Sequence, residues 1–509
     1  MARGRKKRNN GNGNAKRLAT QVLFLRYVIR SLHEGGCCGI VLDEGLLFRT
    51  SRDAFTKIKR KLLDECNLWC VASLFAEAFT AAGAGVKTNL LFFNKGRPTH
   101  NIHIREAHMK EKRENFTMDR RVFLAGAAAT AMTLMKPGRV SGTEANSAIE
   151  LGMVGCGGRG TWIARLFATS GKYRFVACAD YFQDRVDAFG RAFRVPEDRR
   201  YPRLFGYKRL AESKLDAVVI QSPPYFHPEQ AKSAVDAGKH AYVAKPIAVD
   251  MPGCLSIAES GKKATAKKLA FLVDFQTRAN ELYQEAVRRV HGGEIGKIVC
   301  AEAHYPWSGS GSETDSTDPE ERLRNWYCTL ALSGDVIVEQ DIHTLDVATW
   351  FLNADPVSAS GAGGRGIRRA GNIWDHFSVT YRFPKDITLT FTSVKMIPGV
   401  KDEIRCRVFG SEGMVHTDYF GEVFIRGNKP YEGGPVPNLY TTGAQANIEE
   451  FYRCITKGDY ANPTVAPSVR SNLTSVLGRT AAYAGKPVTW DEMIRAQEKL
   501  QPDFTGLKE

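Results

Sequence analysis

The chain has 509 residues, enough for two or three domains, and its apolar (43%) and charged (25%) fractions are those of an ordinary globular protein. No stretch approaches the roughly 20 apolar residues of a membrane span. The formal charge of +16 is unevenly placed: residues 1–117 hold 22 Lys and Arg against 10 Asp and Glu, and the rest is nearly balanced, so the charge is no argument for nucleic-acid binding by the main body. Eleven cysteines are scattered, and Cys66 and Cys70 stand at C-x-x-x-C spacing without a second pair or nearby histidines, so no metal site is expected.

In chain order, residues 1–22 are basic, polar and Gly/Asn-rich, a composition that predicts a disordered tail. Residues 23–105 show a globular pattern. Gly39–Arg49 (GIVLDEGLLFR), Ile58–Leu74 (IKRKLLDECNLWCVASL) and Gly85–Thr99 (GVKTNLLFFNKGRPT) resemble the adenine-specific methyltransferase subunit of type I restriction systems. That family needs a glycine-rich loop for S-adenosylmethionine and an Asn-Pro-Pro-Phe type motif for the flipped base, and neither precedes Gly39. The segment therefore reads as a remnant, and DNA modification has no other support. Residues 106–147 are expected to be a linker. Within it, Arg120 and Arg121 followed by Val122, Phe123, Leu124 and a short apolar run resemble a twin-arginine export signal. Such a signal acts at a free N-terminus. Translation from Met118 would send the protein to the periplasm, and translation from Met1 would leave it in the cytoplasm.

The organising stretch is Ile149–Asp180. An apolar run reaches Gly155, Gly157 and Gly160 at G-x-G-x-x-G spacing; Trp162, Ile163, Leu166 and Phe167 then recur at helical intervals. A strand, a tight turn and a helix start are predicted, with free amides facing the turn where a phosphate would sit. The second strand ends in Asp180, twenty residues after Gly160, where a carboxylate can accept hydrogen bonds from ribose hydroxyls. Asp180 favours NAD; Arg185 nearby keeps NADP open. Leu215–Pro224 and Gly238–Asp250 predict further buried strands, with Ser222 and Lys245 at their ends. The expected fold is α/β: a Rossmann domain over 148–270, then a second α/β domain over 271–509 with an open, largely antiparallel sheet and C-terminal helices.

From about Ala148 to Glu492 the chain resembles the glucose-fructose oxidoreductase, inositol dehydrogenase and MocA family, on the residues GMVGCGGRG, VVIQSPPYFHPEQAKSAVDAGKHAYVAKP, GDVIVEQDIHTLDVATWFL and GRTAAYAGKPVTWDEM. The resemblance implies NAD(P)-linked oxidation or reduction of a sugar or cyclitol hydroxyl. It places cofactor binding on Gly155, Gly157, Gly158, Arg159, Gly160, Asp180, Ser222, Pro223, His227 and Lys245. The family's Glu-Lys-Pro motif falls on Ala244, Lys245 and Pro246, keeping the lysine and losing the glutamate that would hold it. The Asp-x-x-x-His pattern falls on Glu339 and His343, an i, i+4 pair in which the carboxylate is expected to orient the imidazole as base. Arg324, Trp326, Tyr327 and Asp346 are candidate sugar contacts. An NAD-dependent glycosidase and a non-catalytic dinucleotide or sugar sensor are the alternatives, the sensor being opposed by retention of both Lys245 and His343. A homo-oligomer is expected from the open sheet.

Overall fold

The structure is a computed structural model that describes residues 24–43, 53–73, 88–96, 98–99, 101–106, 116–119, 148–309 and 315–509. The basic tail over 1–22 and the paired arginines Arg120 and Arg121 with the apolar run after them lie outside the described residues. The chain divides into two units, Met1–Ser141 and Gly142–Glu509.

In the first unit, β1 (Cys37–Asp43), β2 (Cys66–Ser73), β3 (Thr88–Lys95), β4 (Asn101–Glu106) and β5 (Phe116–Asp119) form one sheet in the order β1-β3-β2-β4-β5. The helix Asp53–Glu65 turns Ile58, Leu62 and Leu63 toward Leu68, Leu91 and Phe93, an apolar face at helical spacing. Residues 116–119, expected within a linker, instead pair with β4 as an edge strand.

In the second unit, β6 (Ile149–Val154), β7 (Tyr173–Asp180), β8 (Arg200–Pro202), β9 (Ala217–Ile220), β10 (His240–Ala244) and β11 (Phe271–Asp274) make a six-stranded sheet in the order β11-β10-β9-β6-β7-β8. Every pair is parallel. Runs such as Ala217–Ile220 are buried on both faces, as expected where helices cover both sides. The sheet includes β11, beyond the boundary expected at 270, because Phe271–Asp274 pairs in register with Ala241–Ala244. The order in which strands are added reverses between β6 and β9, which opens a crevice at the carboxyl ends of the strands.

The second sheet has nine strands: β12 (Ile298–Trp307), β13 (Ser358–Gly364), β14 (His376–Arg382), β15 (Thr388–Lys395), β16 (Arg405–Gly410), β17 (Gly413–Asp418), β18 (Glu422–Gly427), β19 (Tyr431–Pro435) and β20 (Val488–Thr489). Only the β12–β15 pair is parallel. Burial alternates along β14, with Phe377, Val379 and Tyr381 inside, so one face packs on the core and the other is polar.

Four helices matter for the site: α1 (Gly158–Thr169), α2 (Ile342–Leu352), α3 (Leu439–Lys457) and α4 (Val465–Ala484). α3 and α4 follow the second sheet in sequence yet return to the first. Tyr173 donates its hydroxyl to the Ile448 carbonyl at 2.8 Å. The Asn472 amide accepts from Ile247 N at 3.0 Å and donates to the Ala248 carbonyl at 3.1 Å, which fixes the chain just after Lys245. Among the described residues, no helix is long and apolar enough to cross a membrane.

Candidate functional site

At the end of β6 the glycine turn is dictated by sterics. Gly155 has φ +91, and a Cβ there would stand 2.5 Å from the backbone of Gln221 and Ser222. A Cβ on Gly160 would stand 1.8 Å from the Gly155 carbonyl oxygen, so α1 can pack this close only without a side chain. Gly157 differs: its Cβ would meet nothing nearer than Arg185 Nη1 at 3.7 Å. The protein does not require that glycine, and the space it leaves lies at the start of α1, where no side chain caps the helix amides. That gap fits a pyrophosphate. We expect Gly160→Ala to abolish NAD binding and to cost about 1–3 kcal/mol of stability through overpacking, read by nucleotide titration and by urea melts.

Asp180 ends β7 and lines an open cleft of about 490 Å³ together with Gly155, Tyr181, Arg185, Ser222 and Pro223. Its carboxylate accepts from Cys156 N at 2.8 Å and Phe182 N at 3.1 Å. Burial pushes its pKa up, against those bonds and the Arg185 charge. The side chain is thereby fixed to the glycine turn, at the ribose position of the fold.

Two residues expected to bind cofactor act otherwise. His227 is buried, its ring nitrogens 2.7 Å from the carbonyls of Ser222 and Pro246. Burial lowers its pKa to about 4, against the two carbonyls that favour the protonated ring, and the side chain braces the loops after β9 and β10. The Arg159 side chain turns away from the cleft to pair with buried Asp274 at 2.9 Å, stacked near Trp162 and Tyr440. Its backbone amide lies in the first turn of α1.

Lys245 follows β10, and its ammonium donates to the Glu339 carbonyl at 2.6 Å and to Glu339 Oε1 at 3.3 Å. This corrects two expectations. The lysine is held despite Ala244, and Glu339 serves Lys245 rather than His343. The cause is local: Val336–Glu339 is a helix of its own, broken from α2 at Gln340 and Asp341, so Glu339 and His343 do not share a helix face. The glutamate crosses from the second lobe to do what a residue at 244 would do from the first.

His343 lies in the first turn of α2, its ring edge-on to Tyr419 and Phe275, and Nδ1 has no hydrogen-bond partner. Burial, then the charges of Lys245, Arg159 and Lys395, hold its pKa well below the ordinary histidine value. Lys245 and His343 therefore feel one another across the lobe boundary, the amine from the first lobe and the imidazole from the second.

Of the four candidate sugar contacts, Tyr327 packs on the core of the second lobe with the Arg368 guanidinium over its ring, and burial, then the Glu339 charge, raise its pKa. Asp346 is consumed by a buried pair with Arg278 at 2.8 Å and by the Ser471 hydroxyl at 2.6 Å. Arg324 is on the adenosine side, over the Phe182 ring at 3.9 Å and paired with Asp184 at 3.0 Å. Trp326 packs against Phe182 and Leu323 in the same region. Spacing along the chain could not separate these, because their partners Asp184, Phe182, Arg278 and Arg368 are remote in sequence.

One buried ion pair near His343 escaped sequence reasoning. Lys395 pairs with Asp341 at 2.5 Å, the two side chains 1% and 0% exposed, and donates to the Tyr305 carbonyl at 3.0 Å. Burial pushes the Asp341 pKa up and the Lys395 pKa down. The signal was present: Lys395 shares the inward phase of β15 with Leu389 and Phe391. Among the described residues, no grouping of His, Cys, Asp and Glu could hold a metal ion.

Residues 149–271 match the oxidoreductase family with an NAD-binding Rossmann fold, and residues 283–416 match the GFO/IDH/MocA C-terminal domain. Residues 3–127 match the N-6 DNA methylase family. The chain is 23% identical over 320 residues to the scyllo-inositol 2-dehydrogenase (NAD(+)) of Bacillus subtilis, covering 61% of this chain and 87% of that one. It is 41% identical over 83 residues to the EcoEI type I restriction enzyme methylase subunit of Escherichia coli, covering 16% of each, so it spans about a sixth of that subunit. In fold it is similar to the aldose-aldose oxidoreductase of Caulobacter crescentus solved with glycerol, with a TM-score of 0.53, 21% identity, and coverage of 67% of this chain and 100% of that one.

Proposed function

Residues 149–416 of this chain belong to the Gfo/Idh/MocA oxidoreductase family, and from that membership we propose that the protein is an NAD-dependent dehydrogenase of a sugar or cyclitol hydroxyl. Bound NAD supplies the hydride acceptor. The observation that carries the reading is that Lys245, at the carboxyl edge of the parallel sheet, is bonded to Glu339, four residues before His343 at the start of α2. His343, kept neutral by its surroundings, takes the proton of the substrate hydroxyl as the carbinol carbon gives up hydride. Lys245 donates a hydrogen bond to the same oxygen and offsets the negative charge that grows there. Glu339 orients the ammonium.

The neighbourhood of His343 is charge-balanced. Lys245 faces Glu339, Arg159 faces Asp274, and Lys395 faces Asp341. This balance suits an uncharged polyol. Residues 1–117 carry neither a glycine-rich S-adenosylmethionine loop nor an Asn-Pro-Pro-Phe type motif, and we assign them no part in the reaction.

The test is to load the full chain with NAD and add a panel of inositols and aldoses one at a time. Absorbance of reduced nicotinamide is expected with at least one of them, stoichiometric with enzyme or greater. Hydrolysis of an aryl glycoside without accumulated reduced cofactor would transfer the site to NAD-dependent glycoside cleavage. Binding of NAD with neither reaction would make the protein a sensor.

A further inference from the structure

The segment that follows the last helix, Trp490–Ala496, does not stay with the second sheet but runs back to the Rossmann lobe. Leu500 N donates to Asp250 Oδ2 at 2.9 Å. The Phe504 ring stacks on Phe226 with centroids 5.5 Å apart and meets Tyr225 edge-on at 5.6 Å. Leu204 N donates to the Lys508 carbonyl at 3.2 Å, and Lys508 N donates to the Tyr181 hydroxyl at 3.2 Å. Tyr181, Leu204 and Phe226 are three of the residues that line the Asp180 cleft.

A second segment reaches the same wall. The helix Pro319–Arg324 contributes Leu323, buried, to the lining of the cleft. Arg324 lies over the Phe182 ring at 3.9 Å and pairs with Asp184 at 3.0 Å, and the Tyr181 hydroxyl donates to Glu320 at 2.7 Å. Phe182, Leu323 and Leu332 form an apolar cluster, with Phe504 and Leu507 packed on it, distinct from the cores of the two lobes. Two segments from outside the Rossmann domain thus pin this wall.

Building on the dehydrogenase reading, we infer that Pro319–Arg324 and the segment 500–508 form a clamp on the adenosine half of the dinucleotide site, so that NAD is a resident group that stays bound between turnovers. Leu323 contacts the cofactor side of the wall; Phe504, Leu507 and Arg324 are positioning residues that hold that wall from behind.

The experiment compares the full chain with Phe504→Ala, Arg324→Ala and a variant ending at Pro502. Each is loaded with NADH, passed through gel filtration, and assayed for retained nucleotide; the release rate is read from loss of NADH fluorescence on mixing with excess NAD. The wild-type protein is expected to emerge with nucleotide bound, and the variants to release it at least tenfold faster, with the melting temperature of the nucleotide-free Phe504→Ala protein unchanged. Equal release rates in wild type and Phe504→Ala overturn the clamp, as does a wild-type protein that emerges empty after demonstrable binding. Should the shortened variant fail to fold, the two point variants decide. Failure of the wild-type chain to bind NADH at any concentration would overturn the dehydrogenase reading instead.

Discussion

Replacing Lys245 with Ala is expected to lower kcat by roughly 10²–10⁴, the range for loss of a positioned acid–base group, with NAD affinity changed only slightly. The ammonium stands opposite a glutamate on the second lobe and contributes to the reacting end of the site, whereas the cofactor's phosphates and ribose meet the glycine turn and Asp180. His343→Ala should fall by a similar factor, and the double variant by little more than either, because the two groups serve one proton transfer. The pH profile separates their roles. Since burial and three nearby cations depress the His343 pKa, the imidazole of the wild type is already deprotonated at neutral pH, and kcat should rise with pH only on the acid side before going flat. Removing the Lys245 charge relieves part of that depression. The acid limb of whatever activity remains in Lys245→Ala should therefore move to higher pH. Near wild-type turnover in both single variants would end the proposal.

Lys395→Met should cost about 3–5 kcal/mol of stability, the penalty for leaving one partner of a buried ion pair behind. Asp341 and Lys395 have almost no exposure, and water cannot reach the carboxylate to replace the lost ammonium. The double variant Asp341→Asn/Lys395→Met should recover most of that loss, because neither side then carries an unpaired charge. Guanidinium unfolding of the three proteins measures both effects. Equal destabilisation in the single and double variants would show that the pair acts through packing instead.

The same two residues show how far the sequence could be read. The β15 alternation placed Lys395 inward, but not which of the many acidic residues it would meet; that partner lies at the break just before α2, outside any local pattern. Glu339 was legible as a site residue and its partner was not. An i, i+4 spacing joins side chains only along an unbroken helix, and the chain breaks at Gln340 and Asp341. Arg324 and Trp326 are candidate sugar contacts by sequence, yet they sit by Phe182, next to the Asp180 cleft.

What the amino-acid sequence determined by itself was whatever depends on neighbours along the chain: the parallel sheet from buried runs alternating with helical periods, the glycine turn from steric demand at Gly155 and Gly160, and Asp180 at the end of the next strand. What the tertiary structure alone decided was pairing across long separations. Glu339 holds Lys245, Asp274 takes Arg159 out of the cleft, α3 and α4 return to the first sheet, and the segment 500–508 reaches the adenosine wall. The physical reason is that a buried charge must find a partner, but any carboxylate within reach satisfies it, and reach is set only once the lobes have packed.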